Sequence, residues 1–264
     1  MNQTYLNPTE PAIVVDRLSV HYGDVTALDS VSVTVNRGQI CGLIGVNGSG
    51  KSTLFKCLMG LVNAQQGSLA LFGRSSTAAR KGRLVAYVPQ SEDVDWNFPV
   101  SVGDVVLMGR YAHMGPLRHP SRADRAAVDH ALERVGLTML RNRPIGELSG
   151  GQKKRTFVAR GIAQEAQLLL LDEPFAGVDK VSEATIVELL HELKGEGRTV
   201  LVSTHDLAGL PQLCDSAILL HQRILAEGTP AKVLTHENLA RAFGPGSPPV
   251  PATTPSATPI APGA

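Results

Sequence analysis

The sequence predicts an α/β fold, and three observations support that prediction. A short apolar run at 40–44 precedes the glycine-rich stretch 45–53, after which the residues follow a helical pattern. A second apolar run, 168–171, consists of four leucines, which is typical of a strand that is covered on both faces. Between these parts, from about residue 91 to residue 164, helical patterns replace strand patterns. We therefore expect a core sheet with a helical insertion.

The composition is that of an ordinary soluble globular protein. The chain has 264 residues, 43% of them hydrophobic and 19% charged, which suffices for one large domain or two small ones. A formal net charge of +1 gives no support for a nucleic-acid-binding protein, because such proteins usually have a basic surplus. Three cysteines (Cys41, Cys57 and Cys214), two of them in predicted core elements, indicate reduced thiols in a cytosolic protein.

No segment of the sequence predicts secretion or membrane insertion. The N-terminus lacks a basic region followed by an apolar one, so we expect no signal peptide. No apolar run approaches the roughly 18 residues that span a bilayer. A role at a membrane would therefore be that of a peripheral partner.

Strands dominate the predicted structure before the insertion. Val31, Val33 and Val35 alternate with polar residues, which indicates a half-buried strand. A single helix is expected in this part, directly after the glycine-rich stretch, and residues 1–11 are expected to form a loose polar leader. The other strands are predicted at 13–20, 40–44, 68–73 and 84–88.

The insertion is predicted to contain three helices. The first runs from Ser101, its N-cap, to Arg110, with Asp104 in its first turn. The second runs from 121 to 135, and the third begins at Ser149. A loop that contains glycine, proline and histidine separates the first two helices.

Strands and helices alternate again after the insertion. Residues 245–264 are uncharged and rich in Pro, Ala, Ser and Thr, so they cannot bury enough apolar surface to fold and are expected to form a disordered tail. The elements predicted before this tail are a helix at 181–193, strands at 199–202, 217–220 and 223–226, and two short helices within 230–243.

The glycine-rich stretch fits the phosphate-binding pattern G-x-x-x-x-G-K-[ST], the P-loop. Its glycines let backbone N–H groups point into one concavity, and the following helix adds partial positive charge at its N-terminus. Lys51 is expected to reach the β- and γ-phosphates, while the Ser52 hydroxyl is expected to bind Mg²⁺. The stretch therefore predicts binding of a nucleoside triphosphate. The residues assigned to this site are Gly45, Asn47, Gly48, Ser49, Gly50, Lys51, Ser52 and Thr53.

Two carboxylates, Asp172 and Glu173, end the four-leucine strand. In a P-loop enzyme an acid at the end of a neighbouring strand holds Mg²⁺, usually through its water shell, and Asp172 fits that role. Glu173 could accept a proton from the water that attacks the γ-phosphate. His205 follows the strand at 199–203 and should lie at the same sheet edge, where it could hydrogen-bond the γ-phosphate. Position alone leaves a solvated or structural histidine equally open.

The residues Ser149, Gly150, Gly151 and Gln152 admit two interpretations. Ser149 and Gln152 form the pattern of a capping box, which is a routine helix start. Two glycines in the first helical positions are unusual, because each costs about 1 kcal/mol relative to alanine. Their use would be the close approach of bare N–H groups to an anion. One nucleotide does not easily need two such sites from one chain, whereas two copies arranged head to tail could use both.

These motifs, in this order, resemble those of the ATPase subunits of ABC transporters. The resemblance implies a P-loop NTPase core sheet with an N-terminal antiparallel β subdomain and an inserted α-helical subdomain at about 91–164, all within residues 12–244. It also implies ATP and Mg²⁺ as cofactors. The resemblance covers roughly residues 13–243 and rests on 45–53, Gln90, 148–152, 168–173, Asp179 and His205.

The resemblance also assigns roles to single residues. Tyr22 becomes the aromatic residue that stacks on adenine, and the alternative is a strand-end aromatic that packs on the core. Gln90 becomes the residue that senses Mg²⁺ and the attacking water. Glu173 becomes the general base, His205 the switch on the γ-phosphate, and Asp179 a loop residue at the contact between two subunits.

The sequence departs from the family pattern in two small ways. Lys153 and Lys154 follow the family's signature turn, here Ser149–Gln152, at positions where glutamine is common, which is expected to tune the subunit interface without removing function. Ala176 and Gly177 replace the commoner Ser-Ala, a variation that some importers share.

The stretches 90–106 and 173–179 resemble the ATPases of bacterial manganese, zinc and iron importers. In such importers the metal never contacts the ATPase, and we take Asp93 and Asp95 as solvated loop residues, since no His or Cys accompanies them. Trp96 and Phe98 either help to form a groove that receives a cytoplasmic helix of the permease or only anchor a loop.

The sequence thus predicts an ATPase subunit that forms a homodimer at the cytoplasmic face of the membrane. Its partners would be an integral membrane permease and, indirectly, an extracytoplasmic metal-binding protein, with no nucleic acid. The alternatives are an ABC ATPase for another substrate and a soluble ABC ATPase of DNA repair or translation. The chain has neither the long coiled-coil insertion of the repair proteins nor the second cassette of the translation proteins. A small-molecule kinase would leave the signature turn unexplained.

Overall fold

Two sheets form the framework of the fold. The computed structural model describes residues 10–90 and 98–244, and this part of the chain contains nine strands and nine α-helices. The strands are β1 (Ile13–Tyr22), β2 (Val25–Val35), β3 (Ile40–Ile44), β4 (Gln66–Leu71), β5 (Val85–Val88), β6 (Leu168–Asp172), β7 (Thr199–Thr204), β8 (Ser216–His221) and β9 (Arg223–Gly228). The helices are α1 (Lys51–Leu58), α2 (Ser76–Lys81), α3 (Val102–Met108), α4 (Arg122–Arg134), α5 (Gly150–Ala163), α6 (Lys180–Gly195), α7 (Leu210–Leu213), α8 (Pro230–Val233) and α9 (His236–Phe243).

The predicted α/β fold is confirmed. β1, β2 and β4 form an antiparallel sheet in the order β2–β1–β4. The central sheet has the order β5–β6–β7–β3–β8–β9, in which the first five strands run parallel and β9 is antiparallel to β8. Between β5 and β6 the chain forms α3, α4 and α5, which pack against one another.

Each face of the central sheet is covered by a hydrophobic core, as the four-leucine run indicated. Leu169 and Leu171 belong to the core shared with the inserted helices and α6. Leu168 and Leu170 belong to the core shared with α1 and the antiparallel sheet. All four side chains are fully buried. The alternation of β6 between two cores explains why its sequence is apolar at every position.

Serine caps begin the three inserted helices. Ser101, Ser121 and Ser149 each accept a hydrogen bond from the N–H three residues later, and the side chain at that position bonds back to the serine N–H. The predicted starts of these helices, including the capping box at Ser149, are confirmed.

The prediction of a single helix before the insertion is wrong. α2 also lies in this part, and its N-cap Ser75 accepts a hydrogen bond from the N–H of Ala78. Ala79 is the one buried residue of this helix, so the apolar periodicity that reveals helices in a sequence is missing. The predicted tail, residues 1–9 of the predicted leader, Asp93, Asp95 and Trp96 lie outside the described residues. No helix of the described part is long and apolar enough to cross a membrane.

A buried ion pair joins the inserted helices. Asp124, in the first turn of α4, accepts a hydrogen bond from Nε of Arg110 at 2.9 Å. Arg110 also donates to the carbonyl oxygen of Ala163, the last residue of α5, at 2.8 Å. The Ser121 hydroxyl and the Arg110 guanidinium lower the pKa of Asp124 to about 2 against the effect of burial.

We expect Asp124→Ala to lower the free energy of unfolding by about 3 kcal/mol, because it removes the buried carboxylate partner of Arg110, which keeps the exposed carboxylate of Glu165, and the capping-box acceptor of α4. Urea denaturation measures this loss. Asp129→Ala is the matched control on the same helix, since Asp129 forms a half-exposed pair with Arg141 worth at most about 1 kcal/mol. Equal losses in the two variants would contradict the prediction. Because the pKa of Asp124 is lowered, its stabilisation is present above pH 3.8 and is lost as the pH falls through about 2.

Candidate functional site

Three parallel strands end side by side at one edge of the central sheet. Ile44, the last residue of β3, pairs with Thr204 of β7, and Asp172, the last residue of β6, pairs with Ser203 of β7. The P-loop, Glu173 and His205 directly follow these strand ends. The sheet register therefore brings together three motifs that are far apart in the sequence.

A cavity of about 520 Å³ opens at this edge. Most of the residues predicted to bind the nucleotide line it, and so do four that sequence reasoning missed. The predicted residues are Tyr22, Asn47, Gly48, Ser49, Gly50, Lys51, Ser52, Thr53, Gln90 and Glu173. The missed residues are the first three of β2, Val25, Thr26 and Ala27, and Gln222, which joins β8 to β9. No pattern in the sequence marks them.

Tyr22 ends β1 at the rim of the cavity. Its side chain is 48% exposed, so it does not pack in the core, which was the alternative to a contact with adenine. Stacking on a base remains a prediction that this exposure permits.

The P-loop has little room for side chains where it bends. Gly50 has a φ of +101°, and a Cβ there would lie 2.5 Å from the carbonyl oxygen of Ala27 on β2. A Cβ at Gly45 would also collide with backbone, here that of Leu220 on β8. Glycine at these two positions therefore lets the loop fold closely against the neighbouring strands.

Lys51 folds back over the P-loop. Its Nζ donates to the carbonyl oxygens of Gly45 at 2.7 Å and Val46 at 3.1 Å. Burial lowers the pKa of Lys51, and the nearby carboxylates of Glu173 and Asp172 oppose that effect. The ammonium is thus held among the backbone groups that form the phosphate concavity.

Hydroxyl groups hold both carboxylate oxygens of the buried Asp172. Ser203 Oγ donates to Oδ1 at 2.7 Å, and Tyr87 Oη donates to Oδ2 at 3.3 Å. Sequence reasoning missed Tyr87 and Ser203. Ser203 could have been found only from the β6–β7 register, which the sequence does not specify.

Glu173 leaves the sheet in a left-handed conformation with a φ of +49°. Its N–H donates to Ser203 Oγ at 2.8 Å, and its carbonyl oxygen accepts a hydrogen bond from Lys154 Nζ at 3.0 Å. The structure thereby corrects the prediction for Lys154. Only 3% of this residue is exposed, so it lies inside the subunit and cannot tune a surface between subunits.

His205 lies beside Glu173 but does not line the same cavity. Its Nδ1 is 3.6 Å from Oε2 of Glu173, and its side chain is 65% exposed. The two residues share an adjoining cavity of about 240 Å³, which Lys180 and Asp206 also line. Glu173 therefore stands between the P-loop cavity and the exposed histidine.

The turn Ser149–Gln152 does not line the P-loop cavity of its own chain. Instead it packs against the loop that precedes α6 and against the first turn of that helix. A Cβ at Gly150 would lie 2.9 Å from the Gly177 carbonyl oxygen, and one at Gly151 would lie 2.6 Å from the Ser182 side chain. The two glycines therefore have a packing reason that the sequence did not reveal. Their proposed approach to an anion stays a prediction.

Asp179 caps the N-terminus of α6. Its Oδ1 accepts a hydrogen bond from the N–H of Ser182 at 2.9 Å, and the contacts with Ser182 lower the pKa of this carboxyl group. A Cβ at Gly151 would lie 3.4 Å from Oδ2 of Asp179, so the signature turn and the loop that ends at Asp179 form one surface.

Within the described residues, no group of three or more His, Cys, Asp or Glu side chains could hold a metal ion.

Comparison with known proteins agrees with this geometry. The family model for the ABC transporter matches residues 28–176. The chelated iron transport system membrane protein YfeB of Yersinia pestis is 54% identical over 89% of this chain and 79% of its own length. The manganese transport system ATP-binding protein MntA of Synechocystis is 54% identical over 88% of this chain and 90% of its own.

A solved structure resembles the chain in fold as well. It is that of a metal-chelate type ABC transporter in an inward-facing conformation, with a TM-score of 0.79 and 31% identity, covering 89% of each chain. Nucleotide binding is general to such ATPase domains. Because the family model spans more than half of the sequence and relatives at 54% identity align over most of it, the chain belongs to the ABC transporter family, as one of its ATP-hydrolysing subunits.

Proposed function

We propose that two copies of the chain form two ATP sites, each between residues 45–53 of one copy and the turn Ser149–Gln152 of the other. The observation that supports this is the absence of the turn from the P-loop cavity of its own chain. Ser149 and Gly150 are exposed at the N-terminus of α5, and a helix N-terminus attracts anions. Asp179 lies on the same surface, where it would contact the second copy.

The nucleotide lies in the P-loop cavity in this proposal. Tyr22 stacks on the adenine at the rim, and the backbone N–H groups of 45–53 bind the phosphates. The Lys51 ammonium exchanges its two carbonyl partners for oxygens of the β- and γ-phosphates.

Ser52, Gln90 and Asp172 fit the Mg²⁺ ion of MgATP. Ser52 and Gln90 line the cavity and offer oxygen ligands, which Mg²⁺ prefers. Both oxygens of Asp172 already accept hydrogen bonds from hydroxyl groups, so this carboxylate is suited to hold the water shell of the ion. When bound, Mg²⁺ neutralises charge that develops on the phosphates.

Glu173 acts as the general base and accepts a proton from the water that attacks the γ-phosphate. His205, 3.6 Å from its carboxylate, hydrogen-bonds the γ-phosphate. ATP closes the dimer and hydrolysis reopens it, and this motion drives the permease.

The relatives support a partner and a cargo for this motor. Two of them are named for the transport of chelated iron and of manganese, and the similar solved structure is a metal-chelate type transporter. We infer that the chain works at the cytoplasmic face of the membrane with an integral permease. With an extracytoplasmic metal-binding protein that delivers the ion, the complex imports manganese, zinc or iron.

Metal accumulation in a deletion strain tests this function. We expect deletion to lower the cellular content of manganese, iron or zinc, measured by mass spectrometry after growth in limiting metal. The wild-type gene and the control Lys81→Met, at the exposed end of α2, should restore it, whereas Lys51→Ala should not. Unchanged contents of all three metals would contradict the cargo. Co-purification with ribosomes or DNA instead of a membrane protein would favour a soluble ABC ATPase.

A further inference from the structure

Glu173 has a backbone conformation that needs support from its surroundings. Its φ of +49° lies in the left-handed region, which residues with a side chain rarely adopt and which is costly unless neighbouring groups enforce it. Glu173 directly follows β6, so this conformation turns the chain out of the strand. The conformation thereby sets the direction in which the carboxylate reaches the P-loop cavity.

Two buried side chains from different elements hold this residue. Ser203 of β7 accepts a hydrogen bond from its N–H at 2.8 Å, and Lys154 of α5 donates to its carbonyl oxygen at 3.0 Å. Ser203 is fully buried and Lys154 is 3% exposed. Water does not compete effectively at such sites, so the two hydrogen bonds restrain the backbone strongly.

Packing alone does not explain Lys154. Lysine is almost never buried to this extent, because its ammonium loses its hydration unless protein groups replace it. The residues that follow it on the same helix include Phe157, Val158 and Ala159, all buried and apolar. An apolar side chain would fill this region of the core without that cost, whereas only a hydrogen-bond donor can bind the Glu173 carbonyl.

We propose that Lys154 is a positioning residue for ATP hydrolysis. Its ammonium fixes the Glu173 backbone and so keeps the carboxylate directed at the P-loop cavity. The inference rests on the proposed role of Glu173 as the general base. Lys154 lies little more than one helical turn after the Ser149 cap of α5. The position of the Glu173 carboxylate therefore depends on the helix that begins with the signature turn.

The variants Lys154→Met and Lys154→Gln of the full chain test this role. We expect Lys154→Met to lower kcat about 10- to 100-fold, because a small displacement of a catalytic group has an effect of this size. KM and the affinity for a fluorescent N-methylanthraniloyl ATP should stay within about twofold of wild type. Lys154→Gln, which keeps an N–H donor, should lose less kcat. Lys81→Met, the same substitution at an exposed site of α2, is the control and should match wild type.

A double variant shows whether Lys154 acts through Glu173. In the Glu173→Gln background, single-turnover hydrolysis should not fall further when Lys154→Met is added, because the two losses are not additive. A further loss, or a parallel loss of nucleotide affinity, would make Lys154 merely structural and overturn the inference. Wild-type kcat in Lys154→Met would also overturn it.

Thermal unfolding shows whether each variant is folded. If Lys154→Met does not fold, Lys154→Ala decides, since wild-type kcat in that variant, which has no donor for the Glu173 carbonyl oxygen, would contradict a dependence on the ammonium contact. Lowered kcat with unchanged affinity would support the dependence. If Glu173→Gln alone hydrolyses ATP normally, the proposed general base fails. If Glu173→Gln is inactive and Lys154→Met is normal, only the positioning role fails.

Discussion

Glu173→Gln is expected to bind ATP with the affinity of the wild type and to hydrolyse it about 10²- to 10⁴-fold more slowly. Glutamine preserves the size of the side chain, and the backbone contacts of Glu173 with Ser203 and Lys154 do not involve the carboxylate. The substitution therefore removes the proton acceptor and leaves the P-loop unchanged. Single-turnover hydrolysis with excess protein measures the rate, and fluorescent nucleotide titration measures the affinity.

The same variant should also accumulate a dimer in ATP. When hydrolysis no longer reopens the sites, ATP should hold two copies together, and light scattering should report twice the mass found without nucleotide. Glu237→Gln, in the exposed first turn of α9, is the matched control and should keep wild-type turnover. Undiminished hydrolysis by Glu173→Gln would refute the general base. A monomer that hydrolyses ATP at full rate would refute the shared site.

The sequence sufficed for the fold and for most of the residues that line the P-loop cavity, because both depend on local patterns. Continuous apolar runs mark the buried parallel strands, and the P-loop pattern fixes a strand, a loop and a helix within a few residues. α2 was missed because Ala79 is its one buried residue, so its sequence lacks apolar periodicity.

The groups that support the site could not be predicted, because their contacts depend on how distant elements pack. Ser203 reaches both Asp172 and Glu173 only through the β6–β7 register. Lys154 follows the signature by two residues and so suggested a surface role, yet its helix turns it inward to the Glu173 carbonyl. A sequence pattern in one segment can identify a functional side chain. The burial of that side chain and its hydrogen-bond partner can be known only when the strands and helices are packed together.

Gly45→Ala is expected to weaken ATP binding by roughly 10²- to 10⁴-fold, through the loss of about two charge-assisted hydrogen bonds to phosphate. A Cβ at Gly45 would collide with the backbone of Leu220 and the side chain of Ser49. Because β8 is paired on both sides, its backbone cannot move easily, and the P-loop must shift instead. The shift turns N–H groups away from the phosphates, which nucleotide titration measures directly.

Substitutions at two further glycines show whether the loss in Gly45→Ala comes from the collision of its Cβ or from replacing any glycine by alanine. Gly195→Ala at the end of α6 has open space around the new Cβ and should leave both affinity and stability near those of the wild type. Gly48 lies inside the P-loop, and the new Cβ of Gly48→Ala would also meet open space, but the φ of +79° at this position is strained for alanine. We expect it to lose less affinity than Gly45→Ala, since strain in one residue costs less than displacement of the whole loop. Equal affinity of Gly45→Ala and Gly195→Ala would show that the loop does not need its close contact with β8 to bind phosphate.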